Sequence, residues 1–237
     1  MGISTYLVDA IDWAIETQAV DPKRIIVGGV SAGAVLSIDL AARFPGKVQL
    51  AIAINGVYDY AGMVQEAIEG KNIHSADDTI KQSGGDPRIP EQRTELLRKS
   101  PSAIVGNIQC PVMIIAGTKD NNCLPHHSEN LAKKMQGAGK ALQYFTFEEA
   151  GHSLERKTEL AKTATATSVE VETAVDYSAW QVVSEIRMPA IASIAGIQIE
   201  PSVPAPLRNG YLGRNGVTQV MDTTEGALEP KRARYKP

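Results

Sequence analysis

The sequence predicts an α/β fold built on a mainly parallel sheet, and three observations carry that prediction. Three apolar runs, Arg24-Ile25-Ile26-Val27, Leu50 to Ile54 and Val112 to Ala116, lack the alternation of a half-buried strand. A run without alternation suits a strand covered on both faces, as parallel sheets require. Segments with helical spacing separate the runs, and strand–helix alternation is the pattern of parallel α/β architecture. The first run also ends in Gly28 to Gly33, a glycine- and serine-rich turn that opens the next helical pattern.

Residues 5–19 read as an amphipathic helix. Leu7, Val8, Ile11, Ala14 and Ile15 share a face, while Asp9, Asp12 and Glu16 lie on others. Asp21-Pro22 ends it before the strand expected at 24–28. A second helix is expected from Ala34 to Arg43, stopping ahead of Pro45. Asn55-Gly56 closes the second strand. Residues 57–100 read as a polar, irregular connection centred on Gly84-Gly85-Asp86-Pro87. After the third strand come a helix from about Pro125 to Gln136, a fourth strand over 141–148, and a turn at Glu149-Ala150-Gly151-His152.

Beyond Lys162 the character changes. Thr163 to Thr167 is a run of small residues that reads as a linker, and 169–200 is rich in Val, Ile and Ala without a clear period. Six prolines between Pro189 and Pro237 argue against a long helix or a central strand there. The expected organisation is therefore a domain over 1–162 and an irregular, partly flexible extension over 163–237 of unassigned role. The basic end, Lys231 to Lys236, reads as a solvated, mobile tail.

Composition narrows the function. The 237 residues are 43% hydrophobic and 22% charged, ample for a core without disulfide or metal staples. A net charge of -3 and a pI near 5.9 leave no footprint for nucleic acid or anionic lipid. No apolar run approaches the ~20 residues that cross a bilayer. The N-terminal residues lack the blocks of a signal peptide, and Tyr6 spoils a myristoylation match. Two cysteines, Cys110 and Cys123, do not make a disulfide framework and read as packed or free thiols. A soluble cytoplasmic protein is expected, with neither nucleic acid nor membrane as partner.

Gly29-Val30-Ser31-Ala32-Gly33 has the G-x-S-x-G pattern of a nucleophile elbow, entered by an apolar strand and left by a helix. A serine on so sharp a turn needs small neighbours, because the backbone packs closely there. The helix end, with the N–H of Ala32, lies where an oxyanion would develop. A phosphate loop fails, because Ala34-Val35 stands where Lys-Ser/Thr is required. A serine nucleophile needs a base and an orienting acid, in the order Ser, Asp/Glu, His for this kind of sheet. Asp120 follows the third strand and His152 the fourth, both at carboxyl ends of strands where open α/β sheets gather their sites. Asp59, after the second strand, is the runner-up acid, and Glu148 and Glu149 read as surface charges. His126-His127 reads as a solvated helix start, since adjacent helical residues face apart and no third metal ligand is visible.

At these residues the chain resembles the α/β-hydrolase superfamily, and within it the prolyl-oligopeptidase-like (peptidase family S9) catalytic domain and related esterases. The similar stretches are Asp21 to Ile25 leading into the elbow, Lys99 to Ala103, Cys110 to Asp120, and Glu149 to Ser153. The resemblance covers roughly residues 5–160. It implies Ser31 as nucleophile, His152 as general base, Asp120 as its orienting acid, an oxyanion N–H from Ala32, and no cofactor or metal. Residues 57–100 would lie over the site as a cap-like connection. Ala34 stands where many elbows of the family carry another glycine. The family also has strands before the elbow, including the loop that gives a second oxyanion donor, and one helix precedes Ser31 here.

Two functions are thus expected. The first is a serine hydrolase that cleaves ester or peptide bonds in small substrates through an acyl-enzyme. The second is a weak or inactive hydrolase-like structural or interaction subunit. The edge of the strand at 24–28 would stay unpaired, so the C-terminal 75 residues, a second copy or a complementary chain would have to cover it.

Overall fold

The computed structural model describes residues 3–164, 169–176 and 217–222, with isolated positions between 183 and 194. Four parallel strands form the centre: β1 (Ile26–Val30), β2 (Leu50–Ile54), β3 (Val112–Gly117) and β4 (Leu142–Phe147). Strands β5 (Arg156–Ala164) and β6 (Val169–Asp176) form a separate antiparallel pair. Strand β7 (Val217–Asp222) lies antiparallel on β4, which gives the main sheet the order β1-β2-β3-β4-β7. The predicted α/β class and the four predicted strands are all present.

The sequence pattern explains the layering. Side chains alternate along a strand, so each central strand feeds two cores. Ala51, Ala53, Val112, Ile114 and Leu142 meet Ile38 and Ala41 of helix α2 (Ala32–Arg43), and Leu131 and Met135 of helix α6 (His126–Gly137). Leu50, Ile52, Met113, Ile115 and Phe147 meet Ala150 and Leu154, together with Val183 and Ala190. Every residue of β2 and β3 is buried, so neither run could alternate in polarity. β1 is different: Gly28 is exposed and its other residues are partly exposed, and among the described residues β2 is its only partner strand.

Helix α1 (Ile3–Thr17) lies two residues earlier than expected. Its Ser4 and Asp12 bond Asp39 and Lys47, while Tyr6 and Trp13 remain exposed. The larger correction concerns 57–100, which is mostly helical. Helices α3 (Tyr60–Ile68), α4 (Ala76–Ser83) and α5 (Pro90–Lys99) enclose a small core of Ala61, Val64 and Leu96. All three are short, and α4 and α5 are largely polar, so no sustained apolar period stands out, yet their ends carry ordinary signals. Asp59 and Ser75 cap α3 and α4 through their side chains, Gly84 ends α4 at φ 75°, and Pro90 opens α5.

The boundary expected at 162/163 falls inside β5. Thr163 and Ala164 belong to that strand, which suits the β-branched threonine, and the rest of the expected linker, 165–167, lies outside the described residues. The basic tail also lies outside them. The 163–237 region contributes β7, a proline-free strand, at the β4 edge. No helix among the described residues is long and apolar enough to cross a membrane.

Candidate active site

Four loops at the carboxyl ends of β1 to β4 bring the sequence-predicted residues to one end of the sheet. Ser31 joins β1 to α2 with φ 57° and ψ -120°, a strained conformation for a residue with a Cβ. Its N–H donates to the Ile54 carbonyl at 2.9 Å, which ties the elbow to the end of β2. Its own carbonyl accepts from Ala34 and Val35 and starts the helix. Ala32 is the first residue of α2, where backbone N–H groups have no partner within the helix and the dipole favours negative charge.

The two glycines of the motif have different reasons to be there. A Cβ on Gly29 would lie 2.6 to 2.9 Å from the Gly33 backbone, so the turn closes only if residue 29 has no side chain. A Cβ on Gly33 would meet nothing within 4 Å. Gly29→Ala is therefore expected to lose about 1–3 kcal/mol and to distort the elbow. Gly33→Ala, inside a helix, is expected to gain about 0.5–1 kcal/mol. Thermal melts of the two variants should move in opposite directions, and equal losses would contradict the contact argument.

Asp120 and His152 meet as expected. The Asp120 carboxylate is buried and accepts from three donors. Oδ1 takes the N–H groups of Asn122 and Cys123 at 2.8 and 2.9 Å, and Oδ2 takes His152 Nδ1 at 2.9 Å. That leaves Nε2 of the ring turned away from the carboxylate. The imidazole is pushed well above its ordinary pKa, first by the hydrogen bond to Asp120 and then by the neighbouring Cys123, against the opposing effect of partial burial. Among the described residues no hydrogen bond joins His152 to Ser31; its bonds run to Asp120 and, through its carbonyl, to Asn55. Contacts between a nucleophile and its base often tighten only with substrate bound.

Asn55 is the residue that sequence reasoning missed. It is buried at φ 51°, a left-handed conformation that asparagine tolerates better than most residues. Its Oδ1 accepts from Gly117 N at 2.8 Å, and its Nδ2 donates to the carbonyls of His152 at 2.7 Å and Gly151 at 3.3 Å. With its own N–H on the Ile115 carbonyl, Asn55 joins β2, the end of β3 and the histidine loop. The only local sign was its place at the end of a buried strand, which reads equally well as a plain turn.

Other candidates resolve differently. Asp59 caps α3 by accepting from Gly62 N at 3.1 Å, so it serves the helix. Glu149 is exposed and faces Lys119 across 3.8 Å, as expected for a surface charge. Both cysteines are buried and free. The reading of His126-His127 needs correction: His127 is buried, and Glu66 of α3 meets both rings. That third partner was invisible because it comes from the segment expected to be irregular. Among the described residues two groups hold three metal-capable donors within 4.8 Å of one another: Asp120, Cys123 and His152, and Glu66, His126 and His127.

A mostly parallel sheet with a strained serine at its first strand-to-helix turn, and an Asp–His pair on later loops, defines an α/β-hydrolase-type protein. The chain belongs to the prolyl oligopeptidase family, whose model matches residues 5–170. It is 27% identical over 154 residues to the acylamino-acid-releasing enzyme of Arabidopsis thaliana, covering 62% of this chain and 19% of that protein. Among solved structures, a puromycin hydrolase superposes with TM-score 0.59 at 17% identity, covering 80% of this chain and 24% of the other. A Mycobacterium tuberculosis puromycin-hydrolyzing peptidase gives 0.52 at 21%, covering 61% and 21%. These structural likenesses concern the fold. The chain spans about a fifth to a quarter of the length of each relative.

Proposed function

We propose that the chain cleaves peptide or ester bonds by an acyl-enzyme route, with Ser31 as nucleophile, His152 as general base and Asp120 as its orienting acid. The observation that carries the reading is the strained backbone of Ser31 at the elbow, on the same sheet end as the Asp120–His152 pair. Ser31 Oγ bonds the substrate carbonyl carbon while His152 Nε2 takes its proton. The tetrahedral intermediate expels the amine or alcohol, which leaves with that proton. Water repeats the sequence on the acyl-serine. The Ala32 N–H supports the oxyanion. No cofactor takes part, and family membership supports hydrolysis of peptide bonds in particular.

A fluorophosphonate probe tests this directly. The folded protein should be labelled once, at Ser31, and Ser31→Ala should abolish labelling. A folded wild-type chain that stays unlabelled would defeat the proposal.

One observation favours a second reading. β1 is half-exposed and has a single partner strand among the described residues, and an open apolar edge invites pairing. A second copy or a complementary chain on that edge would make this a hydrolase-like interaction subunit. Light scattering after size exclusion separates the readings: the interaction subunit requires an assembly, and a labelled, active monomer excludes it.

A further inference from the structure

We propose that Glu66, His126 and His127 form a binding site for a divalent transition metal, Zn²⁺ being the ion the donors suit best. The three side chains come from two helices. Glu66 lies in the last turns of α3, and the histidines are the first two residues of α6. His126 Nε2 stands 2.7 Å from Glu66 Oε1, and His127 Nε2 stands 3.1 Å from Oε2. The imidazoles stack with centroids 4.6 Å apart and planes 29° apart, so two adjacent residues aim the same nitrogen at one carboxylate.

The start of α6 makes this convergence feasible. Mid-helix neighbours point about 100° apart, but His126 follows Pro125 at the helix end, where its ring can swing over its neighbour. Across the gap α3 presents Gly62 one turn before Glu66, and a Cβ there would already stand 3.6 Å from His127 Cε1. Gly62 and Glu66 share a helix face at this spacing. The face thus combines a side-chain-free patch for the ring with a carboxylate for its nitrogen.

The donor set and its surroundings select the ion. Two imidazole nitrogens and one carboxylate are ligands that Zn²⁺ accepts, whereas Ca²⁺ and Mg²⁺ take oxygen almost throughout. At Zn–N and Zn–O lengths near 2.0–2.2 Å, the edges of a tetrahedron are about 3.3 Å. The nitrogen–oxygen separations of 2.7 and 3.1 Å run to the two different carboxylate oxygens, so the carboxylate would have to draw back for an ion to enter between it and the rings. His127 and Glu66 have side chains 2% and 10% exposed, and His126 is 45% exposed. An ion would therefore sit on a buried wall with one side toward solvent, where water completes the fourth position.

Such an ion would fasten α3 to α6. Those helices flank the Asp120 loop, which already touches the α3–α4 connection through Ile73 N and the Asn121 carbonyl at 3.1 Å. The site shares no residue with Asp120, Cys123 and His152, which also bring three donors together, although Cys123 stands only three residues before His126. A thiolate there would attract the same ion, so the experiment must tell the two groups apart.

The test is titration of the 237-residue chain with Zn²⁺ by calorimetry, and with Co²⁺ by visible spectroscopy, alongside Glu66→Gln, His126→Ala and Cys123→Ser. One equivalent should bind, Co²⁺ should give the strong visible bands of tetrahedral coordination, and Zn²⁺ should raise the melting temperature. Glu66→Gln and His126→Ala should weaken binding by more than the ~10- to 100-fold typical of losing an outer-shell partner. Cys123→Ser should bind unchanged. His126 is exposed, so its replacement tests the site without emptying the core. The proposal is overturned if the wild type binds no ion, if binding survives both Glu66→Gln and His126→Ala, or if it disappears in Cys123→Ser. None of these readouts depends on Ser31.

Discussion

Asp120→Asn is expected to lower kcat by about 10⁴-fold while the protein stays folded. Two backbone N–H groups, from Asn122 and Cys123, point at Oδ1. The asparagine amide must turn its oxygen toward them, which sets its NH₂ against His152 Nδ1. The imidazole then accepts at Nδ1 and carries its proton on Nε2, which blocks the proton transfer from Ser31 that the proposed route requires. The same change removes the charge that raises the His152 pKa. In the wild type, kcat/KM should rise with pH through an inflection above the ordinary ~6.5 of histidine, because the base acts when neutral. An NMR titration of His152 should show that raised value falling in Asp120→Asn. An unmoved value would contradict the ion pair.

The sign for stability follows from the same shift. A histidine whose folded pKa is raised adds stability that is fully present below its unfolded value of about 6.5. That stability fades as pH climbs through the raised folded value. Activity and this part of the stability should therefore change in opposite directions on the alkaline side.

Asn55→Ala is expected to have the largest effect on folding. It leaves the buried Gly117 N–H and the part-buried carbonyls of Gly151 and His152 without their partner. At ~1–3 kcal/mol for each orphaned group, partly relieved by relaxation, a loss of about 3–5 kcal/mol is expected. Alanine is also a poor occupant of φ 51°. The urea midpoint should fall with little change in slope. Activity distinguishes positioning from mere stability: where the variant is still folded, kcat should be about 100-fold lower, because the His152 loop has lost its anchor. Full kcat in the folded fraction would show that Asn55 only stabilises.

These two residues also mark how far the sequence could be read. The pairing of Asp120 with His152 was legible because each follows an apolar strand of the same sheet. Asn55 follows a strand as well, but an Asn-Gly pair there also reads as a turn, and its partners are 62 to 97 positions away. Glu66 was hidden for a related reason. It sits in a nine-residue helix whose apolar face covers only a small satellite core, so no period announced it.

The sequence by itself determined the layered α/β architecture and the elbow. Full burial of β2 and β3 forces unbroken apolar runs, and the close approach of Gly29 to Gly33 forces a small residue at a fixed spacing from Ser31. Both are constraints between near neighbours in the chain, so they leave a local pattern. The tertiary structure alone decided that β7 pairs with β4 and not with β1, that Asn55 ties β3 to the histidine loop, and that Glu66 faces two histidines. Each of those is a contact between segments far apart in sequence. It exists because packing the sheet brings their ends together, and a linear pattern holds no trace of that closure.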